Sequence, residues 1–557
     1  MIKNNRSPLR WIAKMFKGQR LNMAILIVAN ALFSILSILF AFAIKGIIDN
    51  AVLSQTTGQS YGIVLFAIIL GVIIILQFVF RFLINGLTEH IRAKLEMKYK
   101  SHIFSQILSK KYDKINGYHS GELMNRLTSD VSIVSDGVTN ILPNIVAATV
   151  RLVCAIVALV ILDWVFAVAF VVAGVLVFLV MSLLRGKLKN LHRKGQETDG
   201  KVRSFMQESI ENLLAVKVFA VNGKVEEQSD NLQEENFKIK MKRKNYAVLG
   251  FATYNFIFSA GYIFALIYGC FAIINLPNGY GTLSAILQLV NNVQVPFMSF
   301  SNVLPKYYAM IVSTERLMEI ENIQNEPTCK QLEPKSLYQK MNGISIEDVQ
   351  FAYDRDVVLK DANLYVKKGD FVVISGTSGI GKSTLIKLML GVYPLEKGRI
   401  ELDCEKECVE LSPNTRSLFS YVPQGNMLFS GSLRDNVTFI KSDATDVEIE
   451  RALDISCASD FIKDLPMGLD TIVGENGIGL SEGQIQRIAI ARAVLVDAPI
   501  ILLDEATSAL DEETERRVLN NFSKLEDITL IIISHKKAAQ DICNRKIKIK
   551  SKRIIEE

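Results

Sequence analysis

The sequence predicts a multi-domain membrane protein, in which six membrane-spanning α-helices precede an α/β domain built around a phosphate-binding loop. Three observations carry that prediction. Half of the residues are hydrophobic and the mean hydropathy is positive, as in a membrane protein. Apolar stretches of spanning length recur throughout the first half of the chain. In the second half, Gly376-Thr377-Ser378-Gly379-Ile380-Gly381-Lys382-Ser383-Thr384 fits the pattern G-x-x-x-x-G-K-[ST]. A chain of 557 residues exceeds one hydrophobic core, so more than one domain is expected. The net charge of +6 is too modest to point to nucleic acid. The seven cysteines lack zinc-finger spacing, and Cys404 and Cys408 read as reduced thiols.

At the N-terminus, Lys3, Arg6, Arg10, Lys14, Lys17 and Arg20 occur with no acid. Leu9, Ile12, Ala13 and Phe16 share one helical face, so residues 1–20 read as an interfacial helix on an anionic leaflet. The apolar run that follows is longer than a signal-peptide core. Six spans are expected at about 21–48, 61–85, 138–162, 164–185, 248–274 and 281–308. The connections Asn50 to Ser60, Asp163-Trp164 and Asn275 to Gly281 carry no Lys or Arg, whereas Arg92 to Arg126 holds eight and Arg185 to Lys244 fourteen. The positive-inside rule places both termini and both long connections in the cytoplasm. Helical periodicity from Glu89 to Ile107 and from Lys187 to Phe219 extends the spans into the cytosol, with reversals marked by Gly117 and Gly223.

Polar residues within spans are the clues to cargo. Arg151 reads either as a functional intramembrane arginine or as an inner-end arginine facing water between helices. Lys45 and Asp49 read as an i,i+4 pair at the rim. Gln288, Asn291, Asn292 and Gln294 either line a polar cavity, the preferred reading, or bond neighbouring helices.

Residues 319–343 lose apolar periodicity and contain Pro327 and Pro334, which reads as a linker. From Ile344 short apolar runs alternate with helical stretches, as in an α/β domain. Phe371-Val372-Val373-Ile374 before the glycine loop reads as a buried strand, and Leu385 to Leu390 after it as a helix. Backbone N–H groups of the loop and the helix dipole favour an anion there. In that pattern Lys382 reaches the β- and γ-phosphates of ATP and Ser383 holds Mg²⁺. Ile500 to Leu503 reads as a strand ending in Asp504 and Glu505. Asp504 would hold Mg²⁺ through water, and Glu505 would serve as general base, or orient the water, in attack on the γ-phosphate.

Several motifs resemble those of ATP-binding cassette (ABC) transporters, in that family's order. Gly121-Glu122-Leu123 and Arg126-Leu127-Thr128-Ser129-Asp130 are similar to its first intracellular loop. Leu480-Ser481-Glu482-Gly483-Gln484, leading into Gln486 to Ala493, resembles the ABC signature. Phe351-Ala352-Tyr353 is similar to the A-loop, Tyr421-Val422-Pro423-Gln424 to the Q-loop, and Thr471 to Glu475 to the exporter X-loop. Ser508-Ala509-Leu510-Asp511 matches the D-loop, and Ser534-His535 the switch histidine.

The resemblance implies an exporter-type transmembrane domain over residues 21–318, a linker over 319–343 and a nucleotide-binding domain over 344–557. It implies coupling helices near Tyr112–Tyr118 and Ala220–Lys224. Tyr353 would stack on the base, Gln424 would reach Mg²⁺ and the attacking water, and His535 would contact the γ-phosphate. Ser481, Gly483 and Gln484, with Asp511, would complete the ATP site of a second subunit. A homodimer is expected, with a heterodimer containing a degenerate partner as the alternative. Glu482 replaces a glycine usual in the signature, and Lys536 an arginine usual after the histidine; function is expected to survive both. A leader-cleaving peptide exporter is not expected, nor is regulation by the C-terminal helices of many relatives. The expected activity is ATP-driven export of a peptide, lipid or amphipathic small molecule across the cytoplasmic membrane of a bacterium. The alternative is a nucleotide-gated channel or sensor.

Overall fold

The computed structural model describes residues 7–58, 60–275, 279–327, 332–353, 356–405, 408–425, 428–474 and 479–556. They form two compact units: residues 1–107 with 120–322, and residues 108–119 with 323–557.

The first unit is helical. A short helix α1 (Pro8–Met15) precedes α2 (Arg20–Thr57) and α3 (Tyr61–Ser109). After α4 (Tyr112–Ile115), which belongs to the second unit, come α5 (Ser120–Asn125) and one π-helical turn at Arg126–Asp130. Then follow α6 (Val131–Leu162), α7 (Trp164–Glu211), α8 (Leu213–Val218), α9 (Asn222–Asn275) and α10 (Gly279–Asn322). The six long helices contain the six expected spans. By length and hydropathy, Pro8–Gln55, Tyr61–Ser109, Ser120–Leu162 and Asn222–Phe271 are fit to cross a membrane, and Trp164–Val177 is a shorter apolar stretch. The last expected span, in α10, carries Pro296, Pro305 and the row of amides, which lower its hydropathy.

One apolar core joins α1, α2, α3, α6 and α10 around Leu26, Leu95, Tyr99, Val134 and Leu317. Another joins α2, α6, α7, α9 and α10 around Ala41, Leu159, Phe166, Phe258 and Leu289. Many apolar side chains of α2, α3, α7 and α9 stay exposed, among them Ile68, Phe78, Phe82, Val172 and Phe256, as lipid-facing residues do. The extensions of α7 and α9 beyond the spans are joined by polar contacts instead. Asn236 bonds Asp199 at 2.9 Å, Lys240 pairs with Asp199 at 2.8 Å, and Arg243 meets His192 at 3.0 Å.

Three local expectations are corrected. The buried stripe of α1 is Trp11, Ile12 and Met15, whereas Leu9 is exposed. Trp11 stacks on Tyr99 at 5.5 Å and donates to Glu321 at 2.5 Å, so this stripe packs against α3 and α10. The reversal between α8 and α9 falls at Ala220, with φ of 52°, and Gly223 lies inside α9. Hydrogen bonds from Ala220 N to Lys217 O and from Val221 N to Val216 O close the end of α8, so carbonyl capping decides the turn there. The stretch read as a linker is partly helical. Helix α10 runs to Asn322, and α11 (Pro334–Lys340) buries Tyr338 beneath the following sheet.

The second unit continues with β1 (Met341–Tyr353), β2 (Asp356–Lys367), β3 (Phe371–Ser375), α12 (Lys382–Met389), β4 (Lys397–Cys404), β5 (Val409–Glu410) and β6 (Phe419–Val422). Next are β7 (Gly431–Ser432), α13 (Leu433–Val437), α14 (Asp446–Ile455), α15 (Ser459–Ile462), β8 (Ile472–Val473) and α16 (Glu482–Leu495). The chain closes with β9 (Ile500–Asp504), α17 (Glu512–Ser523), β10 (Thr529–Ile533), α18 (Lys537–Ile542), β11 (Arg545–Lys550) and β12 (Arg553–Glu556). The main sheet has the order β12-β11-β3-β10-β9-β6, parallel except at β12. An antiparallel sheet, β2-β1-β4-β5, packs beside it. Strands β9 and β10 are buried at every position, which explains their unbroken apolar runs.

Replacing Trp11 with Ala should remove about 3 kcal/mol of packing. Limited proteolysis of the purified protein should then cut around residues 16–19 faster than in the native chain. Equal rates would show that α1 owes nothing to the Trp11–Tyr99 stack.

Candidate functional site

The parallel strands β3 and β9 end side by side around β10, and their C-terminal ends carry the sequence-predicted residues. After β3 the chain takes φ of 149° at Gly376, 77° at Gly379 and 112° at Gly381 before α12 begins at Lys382. A Cβ on Gly381 would stand 2.6 Å from Val358, and one on Gly376 would stand 2.8 Å from a backbone carbonyl, so both positions exclude side chains. Thr377, Ser378 and Gly379 form the exposed rim of the loop beside Ile380, while Gly381 and Thr384 are buried.

The Lys382 ammonium is only 5% exposed. It donates to Gly376 O at 2.8 Å and Thr377 O at 3.3 Å, stands 3.0 Å from His535 Nε2, and lies 3.9 Å from Glu505 Oε1. Lysine has donors only, so His535 Nε2 accepts in that contact. Ser383 Oγ donates to Asp504 Oδ1 at 2.8 Å. Gln424 Nε2 donates to Glu505 Oε2 at 2.6 Å. Glu505 holds φ of 51°, a left-handed conformation unusual for a side chain of this size, while its N–H bonds Ile533 O. The fold thus brings together six of the sequence-predicted residues: Lys382, Ser383, Gln424, Asp504, Glu505 and His535.

Tyr353 lies at the rim. Its hydroxyl is 3.4 Å from Thr384 Oγ1 and its ring meets Tyr393 edge-on at 5.3 Å. Burial pushes the Tyr393 hydroxyl up to about 12, with Tyr353 next to it adding to the shift. Tyr112, in the expected coupling helix, meets the other side of Tyr393 at 5.9 Å. Tyr393 escaped sequence reasoning because nothing in its local pattern separates it from a core aromatic. The Tyr421 hydroxyl also escaped it; it donates to Asp504 Oδ2 at 3.3 Å.

The signature residues stand apart from this cluster. Ser481 caps α16: its Oγ accepts from Gln484 N at 3.3 Å, and Gln484 Oε1 accepts from Ser481 N at 2.8 Å. Glu482 opens the helix, where the dipole favours its charge. A Cβ on Gly483 would come within 3.0 Å of Ala509 O, so glycine sets the approach of α16 to the loop between β9 and α17. Asp511 caps α17 through Thr514 N at 2.9 Å. Among the described residues, no hydrogen bond or ion pair joins Ser481, Gly483 or Gln484 to the Lys382 cluster. Glu475 of the expected X-loop lies outside the described residues.

In the helical unit, Arg151 Nη2 donates to Ser37 Oγ at 3.4 Å, and Asn292 Nδ2 reaches Ser37 O at 3.5 Å and Gln288 O at 3.3 Å. Tyr254 donates to Gln294 O at 2.8 Å. Lys45 and Asp49 pair at 2.6 Å, as the spacing predicts. Arg81, which sequence reasoning passed over, lies over the Phe33 ring at 5.6 Å, one helical turn from Ser37. A separate groove of about 280 Å³ is lined by apolar residues including Leu152, Phe170, Val175 and Phe297.

Comparison with known proteins identifies the class that this architecture defines. Residues 21–297 match the family model described as the ABC transporter transmembrane region, and residues 359–508 match the one described as ABC transporter. The chain is 30% identical over 495 residues to a protein named as an ATP-dependent lipid A-core flippase of Desulfotalea psychrophila, covering 87% of this chain and 84% of that one. It is 28% identical over 537 residues to a protein named as a multidrug export ATP-binding/permease protein of Staphylococcus aureus, covering 94% and 91%. A bacterial Atm1-family ABC exporter solved with ATP bound shares the fold, with a TM-score of 0.80 at 22% identity over 97% and 95% of the two chains. The chain belongs to the ABC transporter family, as an exporter-type half-transporter with fused transmembrane and ATPase regions that couples ATP hydrolysis to transport.

Asp504 supplies a test of the site. Burial raises its pKa, against the hydrogen bonds from Ser383 and Tyr421. An acid whose folded pKa is raised favours the fold while protonated, and loses that advantage as pH climbs past its unfolded value of 3.8 towards the folded one. Away from acid pH the buried Asp504 carboxyl therefore weakens the ligand-free fold. Asp504→Asn should raise the melting temperature at pH 7, by roughly 2 to 4 °C per kcal/mol relieved, and narrow that gain at pH 4. A melting temperature lowered at pH 7 would contradict this account.

Proposed function

We propose that the protein is a homodimeric exporter of the bacterial cytoplasmic membrane that moves lipid or amphipathic molecules outward by alternating access. The separation of Ser481, Gly483 and Gln484 from an otherwise assembled cluster carries this reading. One chain supplies a phosphate loop, two carboxylates, a glutamine and a histidine in mutual contact, with its signature helix left over to face a second copy. The exposed apolar tip Leu213, Leu214, Val218 and Phe219 also calls for cover by a partner. The named activities of the flippase and multidrug relatives, together with the apolar groove, support a greasy cargo. Translocation is assigned to residues 21–318 and ATP hydrolysis to 344–557, with both termini in the cytoplasm.

Ser383 Oγ and the Asp504 carboxylate, 2.8 Å apart, are hard oxygens suited to Mg²⁺, the amide oxygen of Gln424 would add a third, and a cation would offset the cost of the buried carboxylate. Mg²⁺ bound there would neutralise charge on the phosphates. Lys382 would turn from the loop carbonyls to the β- and γ-phosphates. Glu505, oriented by Gln424, would accept the proton of the attacking water, and His535 would steady the γ-phosphate. Tyr353 would stack on the base. Ser481 and the Gly483 and Gln484 amides, with Asp511, would close over the nucleotide of the other copy. Closure would then be passed to the spans through the tips near α4 and α8.

Glu505→Gln keeps the contact with Gln424 and removes the proton acceptor. Hydrolysis should fall by about 10²-fold or more while ATP binding persists. Retained turnover would remove Glu505 from that role. Shared sites make a second, sharper prediction. Lys382→Ala and Gly483→Asp copies should each be inactive alone, whereas mixed dimers contain one intact site and recover ATPase activity. No recovery in tagged, co-purified mixed dimers would place each site within a single chain.

A further inference from the structure

Lys536 follows the switch histidine and carries little weight in the sequence, as a stand-in for arginine. The fold gives it a definite position. Its Nζ donates to Thr507 O at 2.8 Å and Leu510 O at 2.6 Å, two carbonyls of the loop between β9 and α17. It also lies 3.7 Å from Glu515 Oε2. Glu515 is fully buried, its Oε1 accepts from Thr507 Oγ1 at 2.8 Å, and its Oε2 takes no hydrogen bond. Lys536 is thus the counter-charge of a buried carboxylate, and burial raises the pKa of that carboxylate against the pull of Thr507 and Lys536.

The same loop is gripped from two other directions. Ser508 N donates to Glu505 O at 3.1 Å. Gln486, on the signature helix α16, donates to Ser508 Oγ at 2.9 Å and accepts from Ala509 N at 3.0 Å. Residues 507–510 are therefore tied to the Glu505 backbone, to α16, and, through Lys536, to the segment whose His535 touches Lys382.

We propose that Lys536 is a positioning residue that locks the loop 507–510 to the switch histidine, so that the phosphate state at one site is passed to Asp511 and the α16 N-terminus, which serve the other site. The proposal rests on the two-copy reading above. Lys536 touches no nucleotide in this scheme; it acts through the carbonyls of Thr507 and Leu510. Arginine has the donors to hold both carbonyls and methionine has none.

The test is steady-state ATP hydrolysis by the full-length protein in lipid vesicles, with melting temperatures measured alongside. Lys536→Met should lower kcat about tenfold or more, with KM for ATP within about twofold of native, because the damage lies beyond the binding cluster. Lys536→Arg should restore kcat to within about threefold of native. If Lys536→Met does not fold, Lys536→Gln serves in its place, since its shorter side chain cannot span both carbonyls. Native kcat in the methionine or glutamine variant would overturn the proposal, as would an arginine variant no better than methionine. Failure of the two-copy reading would appear separately, as mixed Lys382→Ala and Gly483→Asp dimers without activity.

Discussion

A single buried ammonium organises the ATPase unit. Lys382 is almost wholly removed from water, and a buried positive charge is tolerated only when polar partners surround it. Those partners come from three places in the chain: the adjacent carbonyls of Gly376 and Thr377, the imidazole of His535 and the carboxylate of Glu505. To meet one nitrogen, β3, β9 and β10 must end at the same edge of the sheet, which their parallel register ensures. The glycine loop must also turn through conformations that side chains forbid. These partners satisfy Lys382 without neutralising it fully, since the one carboxylate stands 3.9 Å away. A phosphate would be a better partner than any of them.

The carboxylates of the site show the same tension. Asp504 is buried and its pKa is raised, which is a cost in the ligand-free protein. Glu505 sits in a backbone conformation that opposes its side chain. Neither feature helps the fold of the ligand-free protein. The site therefore holds its groups in position at the expense of stability, with the fully buried strands β9 and β10 providing the rigid support.

Much of this was legible in the sequence because the chemistry sits in short segments. Glycines, lysine and hydroxyl lie within nine residues of each other, and two carboxylates end one apolar run, so spacing alone predicts their roles. The spans were legible because a bilayer imposes length and composition. Contacts between distant segments were not. Tyr421 reaches Asp504, and Tyr393 meets both Tyr353 and Tyr112, only because the sheet brings their loops together. The stripe of α1 was misjudged because several faces of so short a basic helix are apolar, and only Tyr99 and Glu321 select Trp11. Ala220 took the reversal assigned to Gly223 because the capping of α8 outweighed residue preference.

Lys536 illustrates the same limit inside a motif. Adjacent residues in a sequence pattern suggest adjacent roles, yet His535 points to the phosphate loop while Lys536 reaches the loop before α17. One short segment thus touches two others. If the signature helix completes the site of another copy, the elements that it must keep in step are the histidine, the loop and α16. The bonds of Lys536 and Gln486 to residues 507–510 are the links that connect all three. In that arrangement each ATPase unit would need such a connection, because two sites that share no phosphate loop would influence one another only through the protein between them.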